Sequence, residues 1–152
     1  MSSTELSETE RALNKLDGSG SDSEWAAIEV LRRLAGDQLP SLLLQKFRKA
    51  TKAGERASCV YNAMRYARTI AAAVQLGREA LADRAKSVRY RACMLLAYSQ
   101  DRSVLKDLRV ALSKVPAGSR EDVAAAIDAI ESRNHHYFVD RAHSGKVTLN
   151  IR

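Results

Sequence analysis

The sequence predicts an all-α domain, and three observations carry that expectation. Gly (7) and Pro (2) are scarce among the 152 residues, while hydrophobic residues make up 45% and aromatics only 5%. That is the composition of helices rather than of sandwich or barrel strands. From Ser23 onward apolar residues recur at three- and four-residue spacing almost without a break. Short polar turns at Gly36-Asp37, Ala53-Gly54-Glu55, Asp83-Arg84-Ala85-Lys86-Ser87, Gln100-Asp101-Arg102 and Pro116-Ala117-Gly118-Ser119 punctuate the pattern. Links this short make sequential helices antiparallel neighbours, and the chain length suits one domain.

Residues 1–22 read as an acidic flexible leader. Through Glu24 the chain carries six acidic residues (Glu5, Glu8, Glu10, Asp17, Asp22, Glu24) against Arg11 and Lys15, a net of −4, so the formal total of +7 leaves +11 on the remainder. Gly18-Ser19-Gly20-Ser21 supplies a flexible joint. A short helix from Ser7 to Leu16 is expected, capped by Ser7 and with Leu6, Leu13 and Leu16 on one face. It is too brief to persist unless docked.

The repeat body, 23–133, reads as seven helices near 23–35, 38–52, 55–69, 70–82, 87–99, 102–114 and 119–133. Their apolar stripes are Trp25, Ile28, Leu31 and Leu34; Leu39, Leu42, Leu43 and Phe47; Val104, Leu105, Leu108 and Leu112; and Val123, Ala126, Ile127 and Ile130. Each stripe needs a neighbour on both sides. Cys59 and Cys93 sit inside apolar helical pattern and read as small buried hydrophobes of a reducing compartment. No cationic start followed by an apolar run opens at Met1, and the charge-free stretches 69–77 and 92–100 are too short to span a bilayer. The expected location is cytoplasmic, with no membrane partner.

Self-similarity at a period of thirty to forty residues would make the helices a solenoid instead of a closed bundle. Val88 and Val123 lie 35 residues apart in similar surroundings. The run Ala80-Leu81-Ala82-Asp83-Arg84-Ala85-Lys86-Ser87-Val88-Arg89-Tyr90-Arg91-Ala92, followed by Leu96-Ala97 and Asp101-Arg102-Ser103-Val104, resembles the HEAT-like repeats of phycobilisome lyases and bacterial α-solenoid proteins. Asp83, Val88, Arg89 and Ala92 match that pattern position for position. The second pair lacks the Val-Arg, the fourth has Val123-Ala124 in its place, and the turn proline is missing. The resemblance spans Ser23 to Arg133 and implies a short right-handed α-solenoid of about three and a half repeats. In it, Asp83 would accept from the amides of the following helix and Arg89 would reach a turn carboxylate of its own or a neighbouring repeat.

Residues 134–152 differ in kind. Tyr137 to Val139 and Lys146 to Ile151 are β-prone and flank a Ser-Gly turn, so a small β-hairpin or an extended cap is expected, with Val147, Leu149 and Ile151 on one face. Asn134 is expected to end the last helix in left-handed geometry. His135, His136 and His143 lie near Asp140, but the spacing matches no metal motif and no Cys joins them, so His135, His136 and Tyr137 are expected in a cap or an interface with no metal and no cofactor.

The positive body suggests an acidic partner. Lys46, Arg48, Lys49, Lys52 and Arg56 form a basic run. The resemblance implies that second helices line a concave surface, where Lys46, Lys49, Arg78, Lys106 and Arg109 would form a basic groove. The same charges also fit plain solvation of helix faces. Tyr61, Tyr66, Tyr90 and Tyr98 lie among arginines, which suits either core-rim packing or base stacking. No nucleophile is paired with a base, so no enzymatic activity is expected. The leading expectation is a protein-binding adaptor or an immunity or inhibitor protein. The alternative is nucleic-acid binding of the DNA-repair HEAT type, and a bilin-chaperoning role is implied by the family name alone.

Overall fold

The computed structural model describes residues 3–152, with side chains from Glu8 onward, so Met1, Ser2 and the expected Ser7 cap lie outside the described part. Eight helices follow one another: α1 Ser3–Asn14, α2 Asp22–Ala35, α3 Leu39–Lys49, α4 Ala53–Ala63, α5 Ala71–Ala80, α6 Lys86–Ser99, α7 Leu105–Lys114 and α8 Arg120–Glu131. Single 3-10 turns at Gly36–Gln38, Met64–Tyr66, Arg102–Val104, Ala117–Ser119 and His135–Phe138 link or extend them. No strand occurs among the described residues, and no helix among them is long and apolar enough to cross a membrane.

Packing follows chain order. α3 lies against α4 and α5, α4 against α6, α5 against α6, α6 against α8, and α7 against α8. α6 is therefore covered on several sides, and its sequence shows why: Val88, Ala92, Cys93, Leu95, Leu96 and Ala97 are all fully buried, an all-round apolar helix instead of a stripe. Gly77 permits the α5–α6 crossing, because a Cβ there would come within 2.8 Å of Leu95 Cδ2 and 2.9 Å of Leu96 Cδ2. Leu31, Leu39, Leu43, Leu76, Leu108 and Ile130 extend the core through the other helices, each contributing about 1.5–3 kcal/mol by leaving water.

The helix starts are held by buried arginines. Arg56, in the first turn of α4, donates to the carbonyls of Ala50 (3.3 Å) and Thr51 (2.9 Å) and forms a two-armed ion pair with Asp83 (2.7 and 3.3 Å). Arg89, in the first turn of α6, donates to the carbonyl of Asp83 and to Ser119 Oγ, both at 2.9 Å. Both reach back six residues and forward to the next turn, by 27 and 30 residues. Asp83 accepts from the Ala85 amide at 2.9 Å, as expected of a turn carboxylate. Arg89, however, meets a carbonyl and a hydroxyl, and the carboxylate goes to Arg56.

The segment before α2 docks on the body. α1 packs on α2, and Ala12 and Leu16 belong to the core. Gly18, at φ +81°, lets the chain run so close to the start of α4 that a Cβ would lie 2.4 Å from the Gly54 carbonyl oxygen. A non-glycine residue would be excluded there by backbone conformation and by space.

The tail does not pair as a hairpin. Asn134 Oδ1 accepts from the His136 amide, Tyr137 and Phe138 turn inward within the 3-10 turn, and Phe138 is fully buried with its ring 5.5 Å from that of Tyr90. The buried Asp140 carboxylate gathers the Ser144 amide, the Ser144 hydroxyl and the Gly145 amide. That closes 140–145 into a loop that does not bring two strands into register. Residues after Lys146 run without regular structure, Leu149 buried and Val147 48% exposed, so the expected single face is split. The left-handed residue after α8 is Arg133 (φ +55°), one position earlier than expected; Asn134 is extended and its amide reaches back to the Ala129 carbonyl.

Candidate functional site

Two surfaces compete for the functional role, and the first is the one the sequence points to. Lys46 and Lys49 lie on the last turns of α3, Lys52 in the turn after it, Arg78 at the end of α5, and Lys106 and Arg109 on α7. Carboxylates are interleaved with them. Arg48 pairs with Glu79 (2.9 and 2.6 Å), Arg78 with Asp107 (3.0 Å) and Arg109 with Glu131 (3.4 Å). The hydrogen bonds from Arg48 hold the Glu79 carboxyl below its usual range. Lys46 and Lys49 share a shallow depression with Glu10 and Glu55, and Lys106 lines a groove of about 460 Å³ with Arg78, Asp107 and the exposed Val110. These residues form a surface of alternating sign, not a continuous basic groove.

The histidines are used in docking the tail. His135 stands edge-on to Tyr98 and receives Arg68 Nη2 at 3.0 Å on Nδ1, which places its proton on Nε2 because a guanidinium can only donate. Burial, with His136 and Arg68 nearby, pushes its pKa down. His136 Nδ1 accepts from the Leu149 amide at 2.9 Å, and Tyr137 stacks on His143, whose Nε2 lies 2.6 Å from Asp128. Among the described residues no group of three or more His, Cys, Asp or Glu is placed to hold a metal ion. Cys59 and Cys93 are fully buried free thiols, pushed up by burial to about 12 and so without a thiolate at neutral pH.

The second surface belongs to α2, α4 and α6. Tyr61, Arg65 and Arg68 follow one another at spacings of four and three along α4 and its continuation, and so share a face. Arg91 of α6 lies over the Tyr61 ring (4.8 Å), Arg68 over Tyr98 (4.0 Å) and Arg65 beside Tyr66 (5.7 Å). Among the described residues no carboxylate comes within ion-pair distance of Arg65, Arg68 or Arg91. Cations held this way keep their charge available and are partly desolvated on one side.

A groove of about 350 Å³ opens at one end of this face, walled by Trp25, Ile28, Tyr61 and Arg91, with Glu24, Ser58 and Asn62 on its floor. Trp25 is 48% exposed and Tyr61 41%. The expectation that Trp25 packs with Ile28 and Leu31 is therefore corrected. In the first turn of α2 the inward position belongs to Glu24, whose carboxylate accepts from the amides of Gly18 (2.7 Å) and Gly20 (2.8 Å) and from Ser58 Oγ (2.7 Å).

The floor has a fixed polarity. Because Ser58 Oγ donates to Glu24, it can only accept from Asn62 Nδ2 (3.2 Å), which also donates to the Ser58 carbonyl (3.0 Å). The amide orientation follows, since a backbone carbonyl cannot donate. Asn62 is only 8% exposed, and its Oδ1 takes no hydrogen bond from any described residue. The groove thus presents an open acceptor on its floor, aromatic walls, and a guanidinium at the rim.

Sequence reasoning passed over Glu24, Trp25, Ser58, Asn62 and Arg91 as a group, although a signal was present. Ser58, Tyr61, Asn62 and Arg65 fall at helical spacing and interrupt the apolar pattern of α4 with one polar and aromatic stripe. No protein-family model matches the chain, and no curated protein or solved structure matches it.

Proposed function

We propose that this chain is a non-enzymatic protein-binding module, an adaptor or an immunity or inhibitor protein, that engages an acidic protein through the α2–α4–α6 face. The observation that carries the reading is the set of arginines, Arg65 and Arg91 foremost, stacked on tyrosines with no carboxylate partner among the described residues, beside an exposed tryptophan. Trp, Tyr and Arg dominate the energetics of protein interfaces. The buried protonated thiols support a role without thiol chemistry and suit a reducing, cytoplasmic setting.

A HEAT-like solenoid is the architecture this reading assumes. It is supported by Arg56 and Arg89, 33 positions apart, which clasp their own turn and the next in the same way. In this reading α2/α3, α4/α5 and α6/α7 are the pairs with α8 as the half, and Arg56 of α4 fills the repeat position where the second pair lacks a Val-Arg.

The test compares full-length chain with an Arg65→Glu/Arg91→Glu variant and a Lys46→Glu/Lys49→Glu variant as baits, with captured proteins identified by mass spectrometry. The expected result is an acidic protein held by the parent and by the lysine variant but lost from the arginine variant. Equal capture by all three would overturn the assignment of the face. Nucleic acid is the second reading, favoured by tyrosines interleaved with arginines. A mobility shift with single-stranded DNA that weakens steeply with salt and is lost in the arginine variant would replace the protein reading.

A further inference from the structure

The groove between Trp25 and Tyr61 has its own chemistry, and its requirements narrow what can sit there. Asn62 Oδ1, which takes no hydrogen bond from any described residue, is an acceptor open to the groove, so an occupant that brings an N–H is favoured. Its rim cation, Arg91, has no carboxylate among the described residues, so an anionic group is favoured at the mouth. Trp25 and Ile28 on one side and Tyr61 on the other ask for an apolar portion between these two ends. The Glu24 carboxylate is part of the floor, already satisfied by two amides and a hydroxyl. It disfavours a second anion deep in the groove, which restricts the negative charge to the rim.

We infer that this groove is a peptide-anchor site that takes an apolar residue adjacent to an Asp or Glu. A backbone N–H would donate to Asn62 Oδ1, the apolar side chain would lie between Trp25 and Tyr61, and the carboxylate would meet Arg91. A nucleotide fits less well. Its phosphate would find one guanidinium and a buried carboxylate where nucleic-acid backbones are held by several cations, whereas one peptide carboxylate needs only one bidentate partner. The inference rests on the proposed reading of an acidic protein partner, and it names the segment of that partner that anchors it.

Trp25 is the only tryptophan in the chain, so intrinsic fluorescence reports on this groove directly. The full-length chain is titrated with acetyl-Leu-Asp-amide, with its neutral counterpart acetyl-Leu-Asn-amide, and with adenosine monophosphate. Saturable binding of the aspartyl peptide is expected, about tenfold tighter than that of the asparaginyl peptide, the loss of one charge-assisted contact. Arg91→Gln, at a rim position whose side chain makes no hydrogen bond among the described residues, removes that preference without unfolding the protein, and Tyr61→Ala weakens both peptides alike. Tighter binding of adenosine monophosphate, or no saturable response to the aspartyl peptide at about 10 mM, overturns the inference. If the peptides bind as expected but no acidic protein is captured by the whole chain, the broader reading fails and the groove stands. If Arg65→Glu alone abolishes capture while Arg91→Gln and Tyr61→Ala leave it intact, the face stands and the groove inference fails.

Discussion

Two sets of helices hold arginines in opposite ways. Along α3, α5 and α7, Arg48, Arg78 and Arg109 each end on a carboxylate of a neighbouring helix, at 2.6 to 3.4 Å. Past the end of α4 and on α6, Arg65, Arg68 and Arg91 lie on tyrosine rings, with no carboxylate within ion-pair distance among the described residues. A paired charge has spent most of its electrostatic potential inside the molecule, whereas a stacked one still projects it outward. A net charge of +11 on residues 25–152 therefore says little about where a partner binds. What matters is where positive charge is left uncompensated, and that is decided by which helix faces which.

The largest stability effect should come from Arg56, which ties α4 to the turn before α6. Its side chain and that of Asp83 are each 6% exposed, so Arg56→Ala leaves a buried carboxylate without its cation and the Ala50 and Thr51 carbonyls without their donor. The expected loss is about 3–5 kcal/mol in urea-induced unfolding. A loss below about 1 kcal/mol would mean that the turn carries no more than an ordinary surface pair. Arg56→Ala/Asp83→Leu should recover much of the loss, because the unpaired charge is then removed as well.

Acid should separate the Arg68–His135 contact from the Arg48–Glu79 pair next. His135 is held below its ordinary value of 6.5 by burial first and by His136 and Arg68 second. Its folded state favours the neutral form, so its contribution is whole above 6.5 and is lost as pH falls below that value toward the depressed one. Glu79 is also depressed, through its hydrogen bonds from Arg48, but it titrates from an ordinary value of 4.5. Its contribution is present above the usual carboxylate range and lost only below it. Unfolding midpoints between pH 7.5 and 5.5 should therefore decline in the parent and less in His135→Gln, while Glu79→Gln follows the parent until pH 4.5. Identical curves for parent and His135→Gln would remove Arg68 and His135 from the account of how the tail is held.

Much of this was legible from residues alone, and the parts that were not share a cause. Helix positions came through because apolar spacing and turn residues are local; α2, α6 and α8 lie within two residues of where periodicity places them. The tail is not paired as strands because β-prone residues such as Tyr137 and Val139 respond to what they are packed against. Here Phe138 is buried against Tyr90 of α6, and Asp140 folds the loop around itself. The site was missed for the same reason. Trp25 is apolar by type but stands at the edge of the core, and the inward place beside it goes to Glu24, whose partners Gly18, Gly20 and Ser58 come from two other segments. Local spacing finds a stripe, but it does not say which of two adjacent residues turns in.

The smallest stability effects give the sharpest test of the contrast. Arg109 and Glu131 are 59% and 50% exposed, so Arg109→Ala should change stability by no more than about 0.5 kcal/mol, since solvent screens the pair. Arg91→Ala should also cost little in stability, because the guanidinium gives up only a partly hydrated stacking contact with Tyr61, about 0.5–1 kcal/mol. The two variants are then close in stability and should part company only in binding. Arg109→Ala leaves capture of an acidic partner unchanged, and Arg91→Ala weakens it at least tenfold, about 1.4 kcal/mol. If both weaken binding equally, the partner reads the overall charge of the body, and the difference between paired and stacked arginines has no bearing on function.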